Sequence, residues 1–554
     1  MVNAIAIVPA LIVALAGVAI LVLGRAFRFA RLDGVLCGVA LLAAAITLAL
    51  ARPEPLPDPP ARPSVSAMTL DSLARGTAWL ALLLGTTCSV LTAIGSSRGF
   101  SGRQAFVLLS LGGVLLACVA NDFVGVIIGV PLSALAICAQ QFFEAETPED
   151  RWAAAQSLVL NALAAACLVA GALLVSALAG TTNFSELRAV PAHAAPASDH
   201  FAAHGTRALP LAGEVGYVLL LAGFGIPLLV APFQVGAAEV FEGATPWSLA
   251  AMTVLPRCAA LVAMIRVFAE GMTRYLSTAQ TALTAVALVT LLIGGSLAYW
   301  QSSLRRLLGM IVMAQGGLIL LALAAACSET ARPDAVRWID LQVPGGAGAA
   351  WLLFAADSVG FLGLAALLSG LERSHHGADN LDEFSRLLRR ERVTAFAAML
   401  LLLELAGIPP FPGFWARVAV LRSVLSVSFS PENDFLPHQN TGYVLFALLS
   451  VAAWIAVAAP CLRIATHLLF DDAPSEVGVE SDLALPTAGS RGRGGLRLGA
   501  ALAAAVVVWG FVPSLGPQLA ARVTFSNRDG AVLAAHEPPA PVKKHRRARA
   551  GDSD

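Results

Sequence analysis

The stretch Leu405-Ala-Gly-Ile-Pro409-Pro410-Phe-Pro412-Gly413-Phe414-Trp415 places three prolines and two glycines inside a long apolar segment. Proline removes a backbone donor and clashes with the preceding turn, so this segment is predicted to be a helix broken in its middle. An earlier stretch, Gly223-Phe-Gly-Ile-Pro-Leu-Leu-Val-Ala-Pro232-Phe233-Gln234, has the same character. Broken helices are tolerated in a membrane where the break is buried or lines a wet cavity, as in transporters. The two breaks therefore predict a pair of related helical repeats.

The composition around these breaks is that of a membrane protein. The 554 residues are 57% hydrophobic and only 13% charged, and the mean hydropathy is +0.76. A soluble domain has nearer a quarter charged residues, so a bilayer is the expected solvent. Lys plus Arg and Asp plus Glu both number 36, so the net charge indicates neither an acidic nor a basic partner such as a nucleic acid.

The eight cysteines lie singly in apolar stretches, and none forms a CxxC pair. This pattern is typical of small buried hydrophobic residues and not of iron–sulfur or zinc ligands. We therefore expect no metal and no cofactor, which argues against an electron-carrying protein.

The apolar runs predict an all-α polytopic membrane protein with about fourteen transmembrane helices. Helices are expected because every backbone polar group in a bilayer must be bonded within its own segment. The first run has no positive residue before it and is long enough to span, so we interpret it as a retained helix and not as a signal peptide. The predicted spans are 4–24, 32–50, 73–95, 104–120, 122–142, 153–178, 214–234, 246–269, 277–299, 305–327, 348–370, 393–424, 441–466 and 497–515.

Polar segments separate these spans. The Pro-rich residues 51–63 and residues 471–496 are predicted loops, and so are residues 180–212, where three histidines favour a solvated loop over a metal site. The Lys- and Arg-rich end of the chain, from about residue 527, is expected to be disordered. Short arginine-rich loops at 25–31, 97–103, 305–306 and 373–392 are predicted to be cytoplasmic by the positive-inside rule.

Several motifs carry a resemblance to a known family. They are Ala120-Asn121-Asp122-Phe123, Pro232-Phe-Gln with Glu239-Val-Phe-Glu-Gly-Ala-Thr, Arg305-Arg-Leu-Leu-Gly-Met, and Leu405-Ala-Gly-Ile-Pro-Pro-Phe-Pro-Gly-Phe-Trp. Together they resemble the antiporter-type proton-channel membrane subunits of respiratory complex I, the NADH–quinone oxidoreductase. The Val240-Phe-Glu-Gly-Ala stretch is most similar to subunit N.

The resemblance implies two inverted five-helix repeats, each with a broken helix, in an inner-membrane protein. It implies helices 1–3 in residues 1–102, an antiporter-type core in 103–425, helices 13–14 in 426–526 and a basic tail in 527–554. It also implies that protons move between half-channels through buried ionisable groups. NADH and quinone would be handled by other subunits, and the partners would be the bilayer and sister membrane-arm subunits.

The chain departs from the family pattern at the positions expected to carry protons. The family's glutamate on helix five is replaced at Pro131, and its lysines on helices six and seven are replaced at Gln156 and Pro227. Arginine replaces lysine at Arg257 and Arg417, and Gln315 replaces a histidine. Lysine changes its charge readily when buried, whereas arginine effectively never releases its proton. We therefore expect a proton relay that is impaired or rewired.

Other charges inside the spans are further candidates for a proton path or a buried ion pair. Glu404 precedes the second break and is expected to neutralise Arg257 or Arg417, with Arg257 favoured because a continuous helix would separate Glu404 from Arg417 by about 20 Å. Asp357 is expected to be buried and paired with an arginine or Gln315. Asp122 starts a helix, which favours a capping role over proton entry.

Three functions remain open at the level of sequence. The first is a subunit N-like component of an NADH–quinone oxidoreductase, associated with proton translocation but with its own relay impaired. The second is a structural subunit retained for assembly without transport. The third is the membrane subunit of a related cation/proton antiporter complex.

Overall fold

The computed structural model describes the chain in thirteen ranges. These are residues 4–27, 30–51, 67–95, 102–189, 208–232, 237–271, 276–301, 303–331, 345–371, 392–428, 439–470, 490–512 and 515–525. The structure of these ranges is helical, and the only strand-like pairings among them are two isolated bridges. The three loop histidines, the arginines at 373–390 of the loop and the basic tail lie outside the described residues.

The helices occur in the following order along the chain. The first half contains α1 (Ala4–Phe27), α2 (Ala30–Leu50), α3 (Ser72–Gly95), α4 (Arg103–Val119), α5 (Phe123–Glu144), α6 (Pro148–Ala179), α7 (Phe184–Ala189), α8 (Ala208–Leu228), α9 (Ala237–Gly243) and α10 (Pro246–Met264), which continues as a π-helix (Ile265–Gly271). The second half contains α11 (Leu276–Tyr299), α12 (Leu304–Ala331), α13 (Gly346–Leu371), α14 (Arg392–Ala406), α15 (Pro412–Ser428), α16 (Gln439–Phe470), α17 (Ser490–Gly510) and α18 (Leu515–Phe525).

The helices match the predicted spans closely. Among the described residues, ten helices are long and apolar enough to cross a membrane, and four shorter apolar helices accompany them. The prediction of an all-α membrane protein with about fourteen crossings is therefore confirmed. Three short helices were not predicted: α7 lies within the expected loop at 180–212, α9 lies between the expected spans 214–234 and 246–269, and α18 follows the last expected span. The loop expected to reach residue 496 ends earlier, because α17 begins at Ser490.

Burial separates a central set of helices from a peripheral set. Helices α10 and α12 are buried along their crossing segments and α13 almost entirely so, whereas α1, α2 and α6 bury only about a third of theirs or less. A helix that is hydrophobic on all sides belongs in the interior of a large bundle, and an outer helix can expose its leucine and valine side chains to lipid. The central helices α10, α12 and α13 are the ones that carry Arg257, Gln315 and Asp357.

The two helix breaks have the same backbone geometry. At the first, α8 ends in a turn in which Leu229 N bonds Ile226 O at 3.0 Å and Val230 N bonds Gly225 O at 3.0 Å. At the second, Gly407 N bonds Glu404 O at 2.9 Å and Ile408 N bonds Leu403 O at 3.2 Å. Both are the paired bonds of a Schellman motif, which ends a helix with one residue in the left-handed region.

The residues at the two breaks correspond at a constant sequence offset. Leu229 (φ 61°) takes the place of Gly407 (φ 70°), and Pro232 takes the place of Pro410. The peptide bonds before both prolines are cis. The matching turns support the expectation of two related repeats, formed by α4–α10 and α11–α16. Each repeat crosses the membrane five times, and because five is odd the second repeat runs inverted relative to the first.

Candidate functional site

Five polar or charged side chains predicted from the sequence are buried in the helices packed around the second break. Each is almost fully buried: its exposed fraction is 3% or less. They come from five neighbouring helices, two of which, α14 and α15, flank the break. The members of this charge cluster are Arg257 on α10, Gln315 on α12, Asp357 on α13, Glu404 on α14 and Arg417 on α15.

Arg417 binds the backbone that the break exposes and also pairs with an acid. Its Nη2 donates to Leu405 O at 2.7 Å, and its Nη1 donates to Gly413 O at 2.9 Å. The same Nη2 lies 3.4 Å from Asp357 Oδ1, so Arg417 and Asp357 form a buried ion pair. A guanidinium near the last carbonyls of α14 also suits the negative end of that helix.

Glu404 bonds the other half of the broken helix. Its Oε2 accepts a hydrogen bond from Gly413 N at 3.0 Å, and Gly413 is the second residue of α15. A carboxylate at the first turn of a helix meets free N–H groups and the positive end of the helix dipole. Thus Glu404 accepts from a backbone N–H at the start of α15, while Arg417 donates to a backbone carbonyl at the end of α14.

The break changes which cation lies near Glu404. A Cβ atom added to Gly413 would lie 2.8 Å from Arg417 Nη1 and 3.0 Å from Glu404 Oε1, so both side chains border the same small space. The continuous-helix separation of about 20 Å does not apply, because the chain turns between the two residues. Arg257, the partner we favoured for Glu404, instead donates from Nη2 to Val312 O at 3.2 Å, and the acid that acts on it electrostatically is Asp357.

The cluster retains unused hydrogen-bonding capacity. Among the residues that the structure describes, no hydrogen-bond partner meets Arg257 Nε, Glu404 Oε1, either carboxylate oxygen of Asp357 or either polar atom of the Gln315 amide. The Asp357 carboxylate therefore interacts with Arg417 through charge at 3.4 Å, without hydrogen-bond geometry. Buried polar atoms normally have partners, and groups of this kind are where buried water binds. The cluster can hold a proton on a carboxylate, but its two guanidinium groups effectively cannot release one.

The first break has no comparable cluster in the described residues. Ile226 stands where Glu404 stands at the second break, and Pro227 replaces the expected lysine. The free donor of this break, Ala231 N, bonds Thr290 Oγ1 at 3.1 Å. Pro131 lies within α5, and Gln156 is exposed on α6, so neither is brought to this break as a titratable group.

Asp122 is the N-cap of α5. Its Oδ1 accepts a hydrogen bond from Gly125 N at 2.8 Å, as the capping interpretation predicted. Burial raises the pKa of the Asp122 carboxyl above its usual value, although the backbone donors that it accepts from oppose the shift. The residue therefore stabilises the first turn of α5, at the opposite end of that helix from its last residue, Glu144.

We expect Asp122→Ala to lower the free energy of unfolding by about 1 kcal/mol, the usual loss when an N-cap side chain is removed. Asp122→Asn keeps a capping oxygen and should lose only a fraction of that. Thermal unfolding of the purified protein measures both, and equal losses for the two variants would contradict the capping role.

Two buried ion pairs escaped the sequence analysis. Glu144, at the end of α5, lies 3.1 Å from Arg103 Nε and also accepts from Trp247 Nε1 at 3.0 Å. Arg266, in the π-helix, donates to Asp71 Oδ1 at 2.8 Å. The available signal was a charge within or at the edge of an apolar span, which is costly in a membrane unless it is paired.

Comparisons with known proteins place this geometry in a family context. The family model described as "NADH:quinone oxidoreductase/Mrp antiporter, TM" matches residues 120–337 and 340–430, which is more than half of the chain. The chain is 28% identical over 370 residues to the NADH-quinone oxidoreductase subunit N of Herminiimonas arsenicoxydans, covering 66% of this chain and 68% of that protein. It is 25% identical over 468 residues to subunit N of Rhodospirillum rubrum, covering 84% and 87%.

The fold is also similar to that of a solved structure. A chain in respiratory complex I from Thermus thermophilus with bound aureothin superposes with a TM-score of 0.66 at 18% identity. The match covers 93% of this chain and 99% of that chain. At this identity the likeness supports the shared fold alone.

Proposed function

Because the chain belongs to the NADH:quinone oxidoreductase/Mrp antiporter transmembrane family, we propose that it is a subunit N-type membrane-arm subunit of a proton-translocating NADH–quinone oxidoreductase. The chain is a multi-pass inner-membrane protein and a divergent relative of subunit N. In the proposal its partners are the other membrane subunits of the complex. NADH, quinone and the electron carriers belong to other subunits, and this chain contributes no catalytic centre and binds no cofactor.

The proposal extends to the chain's own proton relay, which we infer to be impaired, because the first break has lost its titratable residue and the acids left at the second cannot complete a relay alone. A relay group must both take up and release a proton near working pH. At the second break the only cluster members that can do so are Asp357 and Glu404, since Arg257 and Arg417 stay charged and Gln315 does not titrate. At the first break the corresponding residue is Ile226, which cannot titrate at all.

The observation that carries this inference is the pair of equivalent turns with unequal chemistry. Both breaks have the same Schellman bonds, yet within the described part of the chain only the second joins an acid, Glu404, to the free N–H of the next half-helix. A continuous relay needs titratable groups in both repeats. We therefore propose that the subunit supports proton translocation by the complex mainly through its place in the assembly.

Glu404→Gln tests the relay directly, because the amide oxygen can still accept from Gly413 N. We expect the purified complex, reconstituted in liposomes, to keep its number of protons pumped per NADH oxidised. Arg257→Gln should likewise leave this ratio unchanged. The matched control is Gln280→Glu, an amide–acid exchange on α11 away from the cluster.

Two outcomes would contradict the proposal. If Glu404→Gln or Arg257→Gln lowers the pumped ratio while all subunits still co-purify, the chain carries protons itself. If the chain co-purifies without NADH-oxidising and iron–sulfur subunits, it belongs instead to a related cation/proton antiporter complex. Deletion that releases the neighbouring subunits, together with an unchanged ratio in both variants, would favour the assembly role.

A further inference from the structure

A small cleft lies away from the charge cluster, where the end of α5, the start of α6, α9 and the start of α10 meet. Its volume, counted as the space open to the centre of a water molecule, is about 20 Å³. A single water needs about 10–15 Å³ on that measure, so the cleft can hold one water or one ion of similar size. The cleft lies at the end of the bundle where Arg305 bonds Glu242 O and Ala244 O, each at 2.8 Å.

Two buried oxygens of residues lining the cleft have no hydrogen-bond partner in the part of the chain that is described. Gln141 is 6% exposed and Ser248 is 1% exposed. Gln141 Nε2 donates to Met252 Sδ at 3.0 Å, which leaves its Oε1 without a donor. Ser248 Oγ is also without a partner. Two unpartnered oxygens are unfavourable in a buried wall unless a ligand or water satisfies them.

Carboxylates surround these neutral oxygens. Glu144 lines the cleft, but Arg103 compensates its charge at 3.1 Å. Asp150 and Glu239 also line the cleft, and neither forms an ion pair with another described residue. A Cβ on Gly243 would lie 2.4 Å from Asp150 Oδ1, so the absence of a side chain lets this carboxylate sit against the backbone of α9.

We propose that this cleft binds a small, hard monovalent cation of the Na⁺ class. Amide, hydroxyl and carboxylate oxygens are the ligands that hard cations prefer, and no sulfur or imidazole ligand lines the cleft. The two buried ligand oxygens, Gln141 Oε1 and Ser248 Oγ, are neutral, and one of the lining carboxylates, Glu144, is already compensated by Arg103. A single positive charge balanced by Asp150 and Glu239 at the rim fits this arrangement better than a divalent ion, which would need charged inner ligands. The site is independent of the charge cluster and of any proton relay.

The test is thermal unfolding of the full complex, with NaCl exchanged for choline chloride at constant ionic strength. A ligand that binds only the folded state raises the unfolding midpoint as its concentration rises. We expect Na⁺ to raise the midpoint of this subunit. Ser248→Ala and Gln141→Leu should each need about tenfold more Na⁺ for the same shift, the usual effect of losing one bond to a charged group. Ser450→Ala removes another buried hydroxyl, one that bonds Ala447 O at 2.7 Å, and should respond to Na⁺ as the unaltered chain does.

Asp150→Asn keeps a side-chain oxygen that can accept from Thr147 Oγ1, the N-cap hydroxyl of α6, while removing the charge, so it reports on the site even if the buried variants fail to fold. We expect it to weaken the Na⁺ response several-fold. No difference between Na⁺ and choline would overturn the proposal and indicate a site for ordered water only. The same Na⁺ response in Asp150→Asn as in the unaltered chain would also overturn it, as would a stronger response to CaCl₂ at equal ionic strength.

Discussion

Asp357→Asn is expected to lower the free energy of unfolding of this subunit by about 3–5 kcal/mol, the usual loss when one partner of a buried ion pair is removed. The physical reason is that Arg417 would remain charged and almost fully buried after losing the acid that it pairs with, while its hydrogen bonds go to backbone carbonyls and the nearby Glu404 is already bound to Gly413 N. Arginine cannot escape this by losing its proton. The measurement is the unfolding midpoint of the purified subunit or complex in detergent, followed by intrinsic fluorescence.

A double variant separates the loss of the pair from the loss of packing. Asp357→Leu combined with Arg417→Met replaces both charges with apolar side chains, a change that is often neutral or stabilising for buried pairs. We expect the double variant to unfold closer to the unaltered protein than Asp357→Asn does. If Asp357→Asn were as stable as the unaltered chain, the ion pair would have no role in holding α13 against α15.

Gly407→Leu is expected to lower the free energy of unfolding by about 2–5 kcal/mol, although leucine occupies the equivalent position of the first break. At Gly407, φ is +70°, and a Cβ would lie 2.7 Å from Trp454 Nε1 and 2.8 Å from Arg417 Cδ. The left-handed backbone disfavours a side chain, and the space is already filled by two large ones. The readout is the fraction of subunit recovered folded and bound to its partners after extraction from the membrane.

The control is the reverse exchange, Leu229→Gly. It relieves a left-handed leucine at φ 61° but removes a partly buried apolar side chain. These two effects oppose each other, so we expect a change within about 1 kcal/mol. If Gly407→Leu lost no more stability than Leu229→Gly gained, backbone conformation alone, and not the neighbours of Gly407, would decide the outcome.

The positions of the crossing helices could be predicted from the sequence because membrane helices require long apolar runs, and the chain has few other apolar segments. The breaks were equally predictable, since the prolines at 232 and 409–410 cannot continue a helix. The short helices α7, α9 and α18 were not predictable in this way, because none of them is long enough to give an apolar run.

The partners within the charge cluster were harder to predict than its members. Burial of Glu404, Asp357 and Arg417 follows from their place in apolar spans. Their pairing depends on how far the chain turns at the break, which the rise of a continuous helix misrepresents. Glu144 was missed for a different reason: a charge at the last residue of a span looks like an interfacial residue until Arg103 and Trp247 are seen to enclose it.

The contacts across the second break also have a mechanical meaning. Arg417 reaches back from α15 to a carbonyl of α14, and Glu404 reaches forward from α14 to an amide of α15. These two hydrogen bonds cross the break in opposite directions, so pulling the half-helices apart or bending one against the other must break bonds to a charged group. Among the described residues, the first break has no such pair of bonds. We therefore expect the bundle to bend mainly at residues 228–232, in the first break, while the second break stays rigid.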